Sequence, residues 1–238
     1  MFYLTLAIDY DGTLADHGAV DPPTIAALEL VRASGRRIIL VTGRQLEDLK
    51  RVCQRLDLFD RVVAENGAVL YRPHNAALRL LGDAPPAAFL AALQARHVTP
   101  LSAGKVIIAT CEPQQETVLE IIQDLGLERQ IILNKGAVMV LPPGIDKASG
   151  LLAALDELAV SPANAVAVGD AENDYALLEA CGLGVAVANA VPRLLEAADW
   201  IAPGANGKGV AAIADRLVRE DFAGIAPRQG RHRQLGEK

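Results

Sequence analysis

Little in this chain is aromatic or sulfur-bearing: one Trp, four Tyr, four Phe and three Cys among 238 residues. Few aromatics imply an aliphatic core built from Ala, Leu and Val. An odd number of widely spaced cysteines (Cys53, Cys111, Cys181) argues against a disulfide framework or a zinc site, and favours a reducing cytoplasm. Positive charge is also scarce. Lys and Arg number 23 against 29 acids, for a net charge of −6, and no long basic run occurs before the last dozen residues. Nucleic-acid binders concentrate Lys and Arg, so that class is excluded for the body of the chain. The chain enters an apolar strand, Phe2–Ile8, with no basic leader and no long apolar run, so neither a signal peptide nor a membrane span is expected. There is no internal repeat. No Gly-x-Gly-x-x-Gly follows the first strand, which sets aside a dinucleotide-binding oxidoreductase.

What is present is an alternation of short apolar runs with amphipathic stretches. Strands are predicted at Leu4–Ile8, Arg37–Val41, Arg61–Ala64 and Ala68–Tyr71, with helices at Thr24–Ala33 and Leu46–Leu56. After Tyr71 the pattern changes. Pro73, Pro85 and Pro86 precede a helix at Ala87–Arg96, a strand at Lys105–Thr110, a helix at Gln115–Leu125 and strands at Ile131–Leu133 and Ala137–Leu141. The alternation then resumes with helices at Lys147–Leu158, Tyr175–Ala180, Val191–Ala197 and Val210–Val218. Between them fall strands at Ala165–Val168, Gly184–Val187 and Trp200–Ile201. The expectation is an α/β fold: residues 1–72 and 145–222 form a Rossmann-like parallel-sheet core, 73–144 a small inserted α+β cap, and 223–238 a flexible tail or linker.

Four clusters carry chemistry. Asp9-Tyr10-Asp11-Gly12-Thr13 follows the first strand, at the sheet edge where ligands bind. Alternation along an extended segment places Asp9 and Asp11 on one face, and two acids so close require a cation or a retained proton, though a plain turn ending the strand is the alternative. Thr42-Gly43-Arg44 follows the second strand and offers a hydroxyl and an open N–H to a phosphate oxygen, though a helix cap reads equally well. Lys147 stands at the return from the insert as a point charge suited to phosphate, or as an ordinary surface lysine. Gly169-Asp170-Ala171-Glu172-Asn173-Asp174 is dense in oxygen donors, which suit magnesium, while an acidic helix start is the plainer alternative. All four fall at strand ends or a helix start, where one cleft can collect them.

Together these motifs resemble those of the haloacid dehalogenase (HAD) superfamily. The insert between the second and third motifs, and Glu65-Asn66-Gly67-Ala68 after the third strand, are similar to its Cof-type branch, which includes sugar-phosphate phosphatases, archaeal-type phosphoglycolate phosphatases and phosphomannomutases. The resemblance covers residues 1–222. It implies a phosphoric monoester hydrolase acting on a small phosphorylated metabolite. Asp9 would be the nucleophile, forming an aspartyl-phosphate, and Asp11 the general acid and base. Thr42, Gly43, Lys147 and Asn173 would bind phosphate. Magnesium would be held by Asp9, the Asp11 backbone carbonyl and Asp170, with Asp174 orienting its waters or Lys147. In the lid, Asn134 and Lys135 at a turn facing the expected cleft are candidate substrate contacts, and Arg44 after the second strand is a candidate for a substrate anion; a solvated turn and a helix-surface arginine are the plainer alternatives. A phosphomutase with the same intermediate is the alternative, as is a non-catalytic regulatory domain of a larger fused protein. The chain is expected as a monomer or homodimer, with a further C-terminal domain possible.

Overall fold

A computed structural model describes residues 1–227. Eight strands form one sheet in the order β12-β11-β10-β1-β2-β3-β4-β5. They are β1 (Thr5–Asp9), β2 (Arg37–Val41), β3 (Arg61–Ala64), β4 (Val69–Arg72), β5 (Ala77–Leu80), β10 (Ala165–Gly169), β11 (Leu183–Ala186) and β12 (Trp200–Ile201). β12 through β3 are parallel, and β4 and β5 close the other edge antiparallel. β1 lies between β10 and β2, where the chain order reverses, and such a switch point opens a crevice at the strands' carboxyl ends.

The central strands are apolar on both faces because both are covered. On one face Leu6, Ile8, Ile38, Leu40, Val166 and Val168 pack with Leu28 and Val31 of α1 (Pro22–Ala33) and Ile213 and Leu217 of α8 (Asn206–Glu220). On the other, Ala7, Ile39, Val41 and Ala167 meet α5 (Lys147–Glu157), α6 (Tyr175–Glu179) and α7 (Pro192–Ala197) through Leu151, Leu155, Leu177 and Leu194. Side chains alternate along each strand with period two, so each strand divides its residues between the two layers.

A second, antiparallel sheet has the order β6-β7-β9-β8: β6 (Ser102–Ala103), β7 (Ile108–Cys111), β8 (Gln130–Asn134) and β9 (Ala137–Leu141). Ile108 and Val140 pack against Phe89 and Leu93 of α3 (Ala87–Ala95) and Val118, Ile121 and Ile122 of α4 (Gln115–Asp124). The opposite face carries Met139 and Leu141, which join Val106, Ile107 and Ala68 where the two sheets meet. The mixed α/β sheet with a small cap-like layer is the expected fold class.

Several elements differ from expectation. Ala77–Leu80, counted with the insert on sequence grounds, pairs with β4 in the large sheet. The run expected as one strand over Lys105–Thr110 is broken: β6 and β7 form a hairpin, and the amides of Lys105, Val106 and Ile107 bond the Glu65 carboxylate instead of a neighbouring strand. The helix expected to reach Leu56 is α2 (Leu46–Val52); Cys53 is extended, and a single 3-10 turn follows at Leu56–Leu58. Of the expected tail, Ile225 packs on the large core, and 228–238 lie outside the described residues. Among the described residues no helix is long and apolar enough to cross a membrane.

Candidate active site

Asp9 ends β1, and its register neighbour Val41 ends β2, directly before Thr42. After Asp9 the chain turns at Gly12, whose φ is +83°. Glycine is required there twice over, since a Cβ would also lie 2.3 Å from Asp170 Oδ2. The turn is tied by Leu14 and Ala15 N–H to the Tyr10 carbonyl (3.0 and 2.8 Å), while the Tyr10 ring sits in the core and its hydroxyl donates to the Gly18 carbonyl. Asp9 and Asp11, two positions apart and expected to share a face by strand alternation, point apart because the strand ends at Asp9 and the turn follows. Asp9 is buried and Asp11 is exposed.

Lys147 is the first residue of α5. Its backbone is set by a capping box in which Asp146 accepts from Ser149 N–H and Ser149 Oγ accepts from Asp146 N–H. A cation at a helix N-terminus opposes the helix dipole. Two carboxylates offset this: Lys147 Nζ lies 2.6 Å from Asp9 Oδ1 and 2.7 Å from Asp174 Oδ1, with the lysine only 2 % exposed. Asp174 Oδ2 accepts from the N–H groups of Asp170 and Ala171 (3.0 and 3.1 Å), so this side chain both ties its own loop and holds Lys147. Asp170 is fully buried; its Oδ1 accepts from Thr13 Oγ1, and its Oδ2 lies 2.5 Å from Lys135 Nζ.

Asp9, Asp170 and Asp174 each present an oxygen within 4.8 Å of the others, all buried. Burial pushes Asp9 up to about 8 against the pull of Lys147, with Asp174 and Asp170 adding to the rise. Asp170 is likewise raised by burial, against Lys135. For Lys147 burial opposes the charge, but Asp174 and Asp9 outweigh it and hold the ammonium above its ordinary range. Burial thus disfavours charge on Asp9 and Asp170, and Lys147 and Lys135 do not fully compensate it. A hard divalent cation takes oxygen ligands and would hold these carboxylates ionised, so the residues fit one. The Asp11 carboxylate contributes nothing to the cluster. It turns to Arg44, which grips both its oxygens at 2.7 and 2.8 Å.

A cavity of ≈ 310 Å³ opens over the cluster, lined by Asp9, Asp11, Gly43, Arg44, Lys147 and Asn173 from the large-sheet side and by Asn134, Ala137 and Met139 from the small sheet. The expected site residues thus converge, with two qualifications. Thr42 is buried, and its Oγ1 accepts from Arg44 N–H at 3.1 Å within the turn before α2; the helix is capped at Gln45 with no side-chain cap bond, so Thr42 is not its N-cap. Arg44 is committed to Asp11 and Asp48 (2.6 Å) and stands 5.7 Å from the Tyr10 ring centroid. Asn134 and Lys135 occupy the β8–β9 turn, where Lys135 adopts φ +46° and Gly136 +79°. Asn134 Oδ1 and Asn173 Oδ1 are both buried without a protein partner, as expected for polar groups lining a site that takes a polar ligand.

Sequence reasoning missed Asp48, Met139 and the role of Asn66, whose Oδ1 accepts from Asn173 Nδ2 at 2.9 Å. Asp48 was signalled by its i,i+4 spacing from Arg44. Met139 carried no signal beyond strand alternation.

Comparison with known proteins agrees with this geometry. The family model of haloacid dehalogenase-like hydrolases matches residues 6–80 and 102–213. A phosphoglycolate phosphatase of Methanothermobacter thermautotrophicus is 32% identical over 222 residues, covering 90% of this chain and 98% of the relative. One from Haloarcula marismortui is 33% identical over 213 residues, covering 86% and 92%. The crystal structure of a haloacid dehalogenase-like hydrolase from Bacteroides thetaiotaomicron superposes with a TM-score of 0.74 at 18% identity, covering 90% of this chain and 99% of that one, and shares the fold. With matched segments that take in Asp9, Thr42, Lys147 and Asp174, this chain belongs to the haloacid dehalogenase-like hydrolases.

Proposed function

We propose that this protein is a magnesium-dependent phosphatase of small phosphorylated metabolites, with 2-phosphoglycolate as the first candidate and sugar phosphates as the second. The observation that carries it is the buried triad of Asp9, Lys147 and Asp174, closed by Asp170, on the floor of a cavity whose rim bears Asp11. Two curated relatives, aligned along almost their full length, are named phosphoglycolate phosphatases. The cavity, at ≈ 310 Å³, suits a small ligand.

In this reading an Asp9 oxygen attacks phosphorus, forming an acyl-phosphate bond as the ester P–O bond breaks. Asp11 must first leave the Arg44 fork and take up a proton, which it then gives to the leaving oxygen. Water then attacks the aspartyl-phosphate, Asp11 takes its proton, and phosphate leaves with the Asp9 carboxylate restored. Lys147 fixes one Asp9 oxygen and, with the Gly43 N–H, Thr42 and Asn173, binds the non-bridging oxygens where charge spreads. Asp9, Asp170 and the Asp11 backbone carbonyl would hold the magnesium ion, with Asp174 steadying Lys147 beside it. When bound, the ion offsets the repulsion between an anionic nucleophile and an anionic substrate. The small sheet with α3 and α4 acts as the lid, excluding water and presenting Asn134 and Lys135 to the leaving group.

The test is release of inorganic phosphate across a panel holding 2-phosphoglycolate and several sugar phosphates, with and without chelator. Expected is release from 2-phosphoglycolate at the highest kcat/KM, abolished by EDTA and restored by magnesium. Phosphoryl recovered on a second sugar position instead would establish a phosphomutase. Turnover unchanged in chelator would end the metal claim.

A further inference from the structure

Directly after β3, three consecutive residues take the left-handed conformation: Glu65 (φ +51°), Asn66 (+54°) and Gly67 (+108°). Glutamate is an unfavourable choice there, since its Cβ crowds the following carbonyl. The glutamate is also 1 % exposed and lines no part of the cavity. Its carboxylate instead accepts three backbone N–H groups from the β6–β7 turn: Lys105 at 2.9 Å, Val106 at 2.8 Å and Ile107 at 3.0 Å. Amide donors to an ionised oxygen make strong bonds, and three of them offset much of the cost of burying the carboxylate. Gly104 completes the fit, because a Cβ there would lie 2.6 Å from the carboxylate.

The same strained turn touches the site from three sides. Glu65 N–H donates to the Arg44 carbonyl and Asn66 N–H to the Thr42 carbonyl, both at 2.9 Å. The Asn66 side chain accepts from Asn173. Gly67 packs so close to the Asp146 carbonyl, next to Lys147, that a Cβ would come within 1.8 Å of it. Backbone held this far from its preferred regions persists only when its surroundings demand it.

We infer that Glu65 is a positioning residue that sets the small sheet in register with the site. Its carboxylate holds the root of β7, where Ile108 pairs with Val140. The far end of the same strand pair, where Cys111 meets Ala137, adjoins the Asn134–Gly136 turn that reaches Asp170 through Lys135. Three residues of strand, Ile108 to Thr110, separate the grip from that end, a span of about 13 Å from Ile107 to Cys111. The small sheet is thus fixed at its root by Glu65 and reaches the acidic cluster at its tip, and a loosened root moves the tip. The kinetic consequence rests on the phosphatase reading; the structural one does not.

The experiment is amide hydrogen exchange on the full chain without substrate, for wild type, Glu65→Gln and Gly104→Ala. The second variant crowds the carboxylate without removing it, and keeps the test open should Glu65→Gln fold poorly. Expected in both is at least tenfold faster exchange at 105–107, accompanied by faster exchange at 135–137, with the amides of β1 and β10 unchanged. Where phosphatase activity is measurable, KM for the preferred metabolite should rise at least fivefold with kcat within twofold. Faster exchange at 105–107 with none at 135–137 would reduce Glu65 to a local strut and overturn the inference, as would unchanged exchange at 105–107. Absence of phosphatase activity in the wild type would refute the proposed function while leaving the exchange result to decide this one.

Discussion

The two sheets use charge in opposite ways. The large sheet buries Asp9, Lys147, Asp170 and Asp174 at its carboxyl edge, above aliphatic layers on both faces. The small sheet divides its buried residues between an apolar cluster against α3 and α4 and a second one where the two sheets meet, and lines the cavity with Ala137 and Met139. Its ion pair with the acidic cluster comes from Lys135, which is half-exposed. Charge interactions strengthen as water is excluded, so the reacting groups belong where burial is deepest. Groups that choose among substrates must be reached by them, so they belong on the open side of the cavity.

That contrast breaks first at Asp9. Asp9→Asn keeps an oxygen for Lys147 to bond, and Lys147 retains Asp174. The variant should fold as the wild type does and lose about a thousandfold or more in kcat, as removal of a nucleophile does. Released phosphate from the preferred substrate, together with a thermal melt, checks both halves. A variant that turns over within tenfold of wild type would remove Asp9 from the reaction.

How far the sequence revealed each sheet follows from the same contrast. β1, β2 and β10 are short apolar runs buried on both faces and ended by Asp9, Thr42 and Asp170, so strand and site announce each other. Lys147 was legible as a point charge suited to phosphate at the return from the insert, and its burial removes the surface-lysine alternative. The small sheet offers no such coincidences. Val106-Ile107-Ile108 looks like continuous strand, and only the distant Glu65 explains why the amides of 105–107 leave the ladder. β5 went unread because Ala77–Leu80 is an edge strand with Leu78 and Leu80 exposed, giving no alternation toward a core. Asp11 gripping Arg44, rather than facing Asp9, depends on a turn conformation at Gly12 that composition does not encode.

The comparison sharpens at the cap. Lys135→Met removes the cation that the small sheet lends to Asp170 but leaves the aliphatic cluster of α3 and α4 intact. The lysine is half-exposed but its partner Asp170 is buried, so the variant leaves a buried carboxylate short of a cation and should lose about 1 to 3 kcal/mol of stability. KM for the preferred metabolite should rise about tenfold, or about 1.4 kcal/mol, with kcat nearly held. A kcat loss as large as that of Asp9→Asn would erase the division of labour between the sheets.

The smallest effect separates burial of charge from chemistry within the large sheet itself. Glu157, at the end of α5, is 10% exposed and bonds Arg61 Nε at 2.9 Å and Arg72 Nε and Nη2 at 2.9 and 2.8 Å, tying the helix to β3 and β4. Bonds from Arg72, opposed by burial and assisted by Arg61, lower its carboxyl from 4.5 to about 2. A carboxyl depressed in the folded state stabilises it fully above the unfolded value of 4.5, and the contribution fades as pH falls toward about 2. Arg72, the stronger partner, is 37% exposed, so screening reduces the gain to about 1 kcal/mol at pH 7. Glu157→Gln should therefore lower the urea midpoint at pH 7, leave kcat/KM unchanged, and converge with wild type as the medium is acidified from pH 5 to pH 2. A stability difference that stays constant across that range would mean the loss is one of packing and hydrogen bonding, with no contribution from the buried charge.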